Sequence, residues 1–195
     1  MPESILVQKR VLCLGGSLRD GSLTTATLYQ IERLVKAAGF GADVFSVAEL
    51  PDMFVPGSTQ ATDPAVARLG ELVARAASVF VGTPIYGGTP SGAVKNLLDT
   101  LHLFKDGAVG PFAGKRVVVG SVGGGALSGH YDPQPTAAYT LEIACANLGA
   151  WVSPRHVELS ELAFDRDGLL VEPYAADLVR RAVLELTLDG GRHND

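Results

Sequence analysis

Cysteine is nearly absent from this sequence: Cys13 and Cys145 are the only two in 195 residues, too few for a disulfide framework. Charge is also sparse, at 19% of residues, and the net −5 comes without a run of lysine or arginine. That excludes the basic face on which nucleic-acid binding rests. No apolar stretch reaches membrane-spanning length, and the start MPESILVQKR lacks the hydrophobic core of a secretory signal. The expectation is therefore a cytoplasmic protein with neither nucleic acid nor membrane as partner. His102, His130, His156 and His193 show no metal-ligand spacing, so no metal site is expected. What is abundant is apolar surface, 47% of residues, and glycine, 23 in all. One domain over residues 1–195 can bury a real core, with apolar surface to spare for a subunit interface.

Short β-branched runs alternate with segments of helical period. Strands are predicted at 10–14, 44–47, 78–82, 117–120 and 151–157. Leu28, Ile31, Leu34, Val35 and Ala38 mark a first helix that ends at Gly39. Asp63-Pro64 reads as an N-cap followed by proline at the first helical position, opening a helix to about Ala76. Further helices are expected over about 91–103, 135–148 and 174–188, and the stretch 51–62 has no period. Strands apolar on both faces and separated by helices imply a parallel sheet covered on both sides. Five such β-α units fit a flavodoxin-like α/β fold: a five-stranded parallel sheet with helices on both faces.

Ligands of such sheets bind beyond the carboxyl ends of the strands. The loops there, 15–24, 83–91 and 121–134, hold much of the glycine and hydroxyl content. Loop one, Gly15-Gly16-Ser17-Leu18-Arg19-Asp20-Gly21-Ser22-Leu23-Thr24, runs from a strand into a helix, where unpaired N–H groups and the helix dipole favour an anion. An ordinary N-cap at Ser22 or Thr24 would leave the same composition. The loop does not supply G-x-G-x-x-G. It has the glycine spacing of a phosphate-binding P-loop from Gly16 but puts Ser22 where lysine belongs, which argues against an ATPase. Arg19 breaks G-x-S-x-G. Cys13-x5-Arg19 matches the spacing of low-molecular-weight tyrosine phosphatases, and Asp132-Pro133 resembles their general acid. Asp20, however, stands where that family has a hydroxyl, and Cys13 sits among strand residues.

Loop two reads Thr83-Pro84-Ile85-Tyr86-Gly87-Gly88-Thr89-Pro90-Ser91-Gly92-Ala93-Val94-Lys95-Asn96. Taken with G-S-L-R-x-x-S in loop one and S-V-G-G-G from Ser121 in loop three, the chain resembles the NAD(P)H-dependent FMN reductase family over nearly its whole length. The resemblance implies that Ser17, Arg19, Ser22 and Thr24 hold the FMN 5′-phosphate. It places Pro84, Ile85, Tyr86 and Gly87 around the ring and ribityl chain, with backbone N–H groups near Gly87 and Gly88 at the pyrimidine edge. Ser121, Gly123 and Gly124 of loop three complete the cofactor set, and Gly125 belongs to the same glycine run. A hydride would pass from NADPH or NADH through FMN to a small-molecule acceptor such as free flavin or a quinone. The flavin carries that chemistry, so no catalytic side chain is required. A homodimer or homotetramer is implied.

The chain departs from the family where Ile85 replaces a common glutamate and where 128–135 lengthen loop three. Two other readings stay open: a flavodoxin-type electron carrier that does not oxidise NAD(P)H, and a phosphatase using Cys13 and Arg19. Ser128, His130 and Asp132 are a hydrolytic triad by type but crowd into one loop. Asp165-Arg166-Asp167-Gly168 is expected to be a turn rather than a calcium loop. Lys95, Asn96 and Asp99 read as helix packing, capping or interface groups, and Trp151 as a core or interface residue.

Overall fold

The computed structural model describes residues 9–50, 62–123 and 136–188. Five parallel strand positions form the sheet. β1 (Arg10–Gly15) lies between β2 (Gly41–Ser46) and β3 (Ser78–Tyr86), and β5 (Arg116–Val122) follows β3. The fifth position is filled by β6 (Trp151–Val152) and then β7 (Val157–Leu159), both parallel to β5. The spatial order β2-β1-β3-β5-β6 is the flavodoxin-like order, with the switch point beside β1.

The alternating residues explain the two layers. Leu12, Leu14, Val79, Val81, Val117 and Val119 point to one face. There they meet α2 (Pro64–Arg75), α3 (Gly92–Thr100) and α4 (Thr136–Asn147). Val11, Cys13, Phe80 and Val118 point to the other, against α1 (Leu23–Ala37) and α5 (Pro173–Thr187). Strands buried on both sides must be apolar throughout, which is why they read as unbroken hydrophobic runs.

Helix starts follow local chemistry. Asp63 accepts hydrogen bonds from the N–H groups of Ala65 (2.8 Å) and Val66 (3.3 Å), with Pro64 at the first helical position as expected. Two strand predictions need correction. The second strand begins at Gly41, and Val47 instead opens a 3₁₀ turn over Val47–Glu49. Ser46 and Glu49 form a capping box there, which ends the strand. The run 151–157 is not one strand. Pro154 offers no N–H to the ladder, and the Ser153 hydroxyl accepts from Arg155 N (3.1 Å) in its place. The third helix stops at Thr100 and passes into a 3₁₀ turn over Leu101–Phe104.

Candidate functional site

The ends of β1, β3 and β5 bring the three loops to one edge. Gly15 pairs with Gly82, Gly82 with Gly120, and Thr83 with Ser121. The approach is too close for side chains: a Cβ on Gly15 (φ +115°) would lie 1.9 Å from the Gly82 oxygen. Loop one then leaves the sheet with Gly16 N bonded to that same oxygen at 3.0 Å.

Loop one folds back on the first turn of α1 through its own hydroxyls. Ser22 is the N-cap and accepts from Thr25 N (3.4 Å); Ser17 Oγ accepts from Arg19 N (3.1 Å); Thr25 Oγ1 accepts from Ser17 N (3.2 Å). Each of these oxygens is engaged as an acceptor, and none donates its proton to an acceptor among the described residues. Ser17 and Ser22 are 8% and 7% exposed, and both line the cleft. A hydroxyl donor with no acceptor in the protein is left to water or to a ligand that supplies the acceptor. The hydroxyls open on a cleft of about 600 Å³ that Arg19 also lines. Arg19 has no side-chain partner among the described residues. Thr24 sits elsewhere: it is buried, with its methyl toward Gly82 under the loop, and the neighbouring Thr25 reaches the cleft.

Loop two is a tight hairpin. β3 runs on to Tyr86, turns at Gly87 (φ +58°) and Gly88 (φ +79°), and returns as the short antiparallel β4 (Thr89–Pro90). Two consecutive positive φ values are what a tight two-residue hairpin demands, and they account for the glycine pair. Thr83 clamps the base: fully buried, it accepts from Ser91 N (3.0 Å) and donates to the Pro84 carbonyl (3.0 Å). Ser91 in turn caps α3 by accepting from Val94 N. Pro84 is therefore buried, Ile85 half-buried and Tyr86 56% exposed at the rim. From loop three, Gly123 lies against Ile85: a Cβ there would meet the Ile85 Cβ at 3.3 Å. Ser121 is buried beside Thr83, and its hydroxyl has no hydrogen-bond partner among the described residues. Gly124, Gly125 and the 128–135 segment, with Ser128, His130 and Asp132-Pro133, lie outside the described residues.

Cys13 does not fit a phosphatase. It lies in mid-strand, opposite Val44 and Phe80, with no exposed surface. Burial pushes its thiol far above the ordinary range, and the charges of Glu32 and Asp43 push the same way. A nucleophilic cysteine needs the opposite environment. The 165–168 segment is a turn, as expected, with Asp165 Oδ1 accepting from Asp167 N (3.0 Å) and Leu169 N (2.8 Å). Lys95 and Asp99 form an exposed i,i+4 ion pair at 2.6 Å. Trp151 is exposed, not core, and Arg116 sits 4.8 Å over its ring.

The cleft also includes residues that sequence pattern does not single out for it: Thr25, Tyr29, Ser46, Glu49 and Arg166. Thr25 follows Thr24 in the same motif, and only helix phase distinguishes them. Tyr29, one turn further along α1, is an exposed aromatic that breaks the apolar stripe and so carries a weak signal. Arg166 is brought in from a distant turn.

A family model described as NADPH-dependent FMN reductase matches residues 9–163. Over 186 residues the chain is 26% identical to an NAD(P)H-dependent FMN reductase of Pseudomonas aeruginosa, covering 92% of this chain and 94% of that protein. It is 32% identical over 119 residues to the NADPH-dependent FMN reductase ArsH of Acidithiobacillus ferrooxidans, covering 61% of this chain and 48% of the relative. In fold it is similar to an apo NADH:FMN oxidoreductase, EMOB, with a TM-score of 0.72 and 18% identity over 94% of this chain and 92% of that one. The flavoenzyme NAD(P)H:(acceptor) oxidoreductase FerB from Paracoccus denitrificans gives 0.70 and 19%, over 91% and 94%.

Proposed function

The chain belongs to the NADPH-dependent FMN reductase family, and from that premise we propose that loop one holds the FMN 5′-phosphate while loops two and three hold the ring. The enzyme is an NAD(P)H-dependent FMN reductase. Bound FMN supplies a two-electron relay between a nicotinamide dinucleotide and a small-molecule acceptor.

The observation that carries the site reading is the set of unused donors in loop one. A phosphate ester only accepts hydrogen bonds, and Ser17, Ser22 and Thr25 each keep an O–H to donate once their oxygens are bound to backbone N–H groups. The start of α1 adds its dipole, and Arg19 adds a full charge with no internal partner. Thr24 contributes by packing beneath the loop, and its neighbour Thr25 is the hydroxyl that faces the ligand. At the other end, Pro84, Ile85 and Gly123 make an apolar seat for the ring, and Tyr86 covers its rim. The hairpin at Gly87 and Gly88 brings backbone polar groups to the pyrimidine edge. Ser121 completes the seat, and the resemblance adds Gly124, which lies outside the described residues. These residues bind and orient the cofactor and exclude water; no proton has to be held by a side chain.

We take the whole chain as one FMN-binding unit, cytoplasmic and assembled as a homodimer or homotetramer, with free flavin or a quinone as acceptor. The carrier alternative gives way to the family's reductase activity.

Flavin titration followed by NADPH and NADH oxidation tests this reading. FMN should bind and pyridine nucleotide should be consumed with either flavin or quinone added. Arg19→Ala should weaken FMN roughly 10- to 100-fold, the range for a lost charged hydrogen bond, and leave riboflavin little changed. Equal losses for both flavins would remove the phosphate from loop one.

A further inference from the structure

The cations among the described residues are mostly spent. Arg10 and Arg75 pair with Asp43, Arg68 with Glu49, and Lys95 with Asp99, while Lys115 binds a carbonyl and Arg116 stacks on Trp151. Arg19, Arg33, Lys105 and Arg166 are exceptions, without an ion pair or side-chain hydrogen bond among the described residues. Arg19 and Arg166, far apart in sequence, line the same cleft.

The turn that carries Arg166 is fixed to the helix that starts at the phosphate loop. Gln30 of α1 donates to the Gly168 carbonyl at 2.9 Å. Gly168 (φ +75°) lies so close that a Cβ there would touch Ala26 and Leu23 at 3.7 Å. The Asp165 carboxylate accepts from Asp167 N and Leu169 N, and an antiparallel bridge joins Phe164 to Leu170. Arg166 therefore stands on an anchored turn against the first two turns of α1, across the cleft from loop one.

On the reading that loop one binds a flavin phosphate, we propose that Arg166 is a second cation for that phosphate and helps the protein choose FMN over unphosphorylated flavin. The cleft holds carboxylates as well, and they decide how much Arg166 can contribute. Glu49 is occupied by Arg68 and by Ser46 N. Asp20 and Asp167 are exposed at the rim, where water screens them. Against them stand Arg19, Arg166, the helix start and the three O–H donors, so a dianion is still favoured. Arg166 is exposed and acts across a wet cleft, so its share is smaller than that of Arg19.

Flavin fluorescence quenching with the full-length protein tests the assignment, using FMN and riboflavin against Arg166→Ala, Arg19→Ala and Arg33→Ala. Arg33 is an unpaired, exposed arginine of α1 outside the cleft lining, and its variant should match wild type for both flavins. Arg166→Ala should weaken FMN about fivefold at low salt, leave riboflavin unchanged, and lose most of its difference from wild type near 1 M salt. Arg166→Lys should recover part of the loss. Unchanged FMN affinity in Arg166→Ala, or an equal loss of FMN and riboflavin, would overturn the proposal. If Arg19→Ala discriminates between the flavins and Arg166→Ala does not, only the role of Arg166 fails. If neither discriminates, the phosphate reading of loop one fails with it.

Discussion

At the scale of single residues, close approach of backbone decides more than side-chain chemistry. Gly15 combines a left-handed φ of +115° with a space in which a Cβ would meet Gly82 O at 1.9 Å. The atom it would strike is sheet backbone, which cannot swing away. Gly15→Ala should therefore cost about 3 kcal/mol or more. Gly114 also has a positive φ, +71°, but nothing within 4 Å of a built Cβ, and Gly114→Ala should cost about 1 kcal/mol from the backbone alone. Urea melts of the two variants check the difference, and similar losses would mean that the sheet end can yield. The sequence shows both glycines without distinguishing them, since the contact at Gly15 comes from a strand far along the chain. The same limit separates Thr24 from Thr25. Composition marks both hydroxyls, and only the phase of α1 sends Thr24 under the loop and Thr25 into the cleft.

At the scale of elements, hydrophobic period placed most strands and helices, because each element buries a face of fixed spacing. It failed where hydrogen-bonding side chains take over from periodicity. Ser46 and Glu49 turn the chain after β2, and Ser153 with Pro154 divides the fifth strand position. Loop two shows the same principle in a functional place. Thr83 links the end of β3 to the start of α3 by accepting from Ser91 N and donating to the Pro84 carbonyl. Thr83→Val keeps the shape and removes both bonds, leaving a buried N–H without an acceptor. It should destabilise the fold by about 1–3 kcal/mol. On the proposal that the hairpin seats the ring and not the phosphate, FMN and riboflavin should weaken together. That pattern is opposite to the one expected for Arg19→Ala, so flavin titrations of the two variants separate seating of the ring from capture of the phosphate. A selective loss of FMN in Thr83→Val would place Thr83 on the phosphate side instead.

At the scale of the whole molecule, the proposed ligand site and charge-based stability occupy different parts of the sheet. The loops gather at the carboxyl ends of β1, β3 and β5, whereas Asp43 lies within the edge strand β2, opposite Leu12. Arg10 grips its carboxylate through two hydrogen bonds of 2.8 and 2.9 Å, and Arg75 from the last turn of α2 adds a third at 2.8 Å. Burial alone would push the Asp43 pKa up, but the arginine hydrogen bonds and charges outweigh it and hold the pKa below the ordinary carboxylate value. A depressed folded-state pKa means that the unfolded chain binds the proton more readily. The stabilisation is thus complete above the unfolded value of about 4 and disappears as pH falls through the lower folded value. The pair also places charge on the edge strand of the described sheet, where an uncharged edge would invite pairing with another chain. Asp43→Asn should cost about 1 kcal/mol near neutral pH, given that the group is only partly buried. Its melting temperature should fall less steeply than that of wild type between about pH 5 and 3, because the variant has no such proton to gain. Flavin affinity at neutral pH should not change, since neither Asp43 nor its arginine partners line the loop-one cleft. Parallel melting curves for variant and wild type across that pH range would show that other carboxylates govern acid unfolding, and a loss of flavin affinity would show that β2 transmits strain to the site.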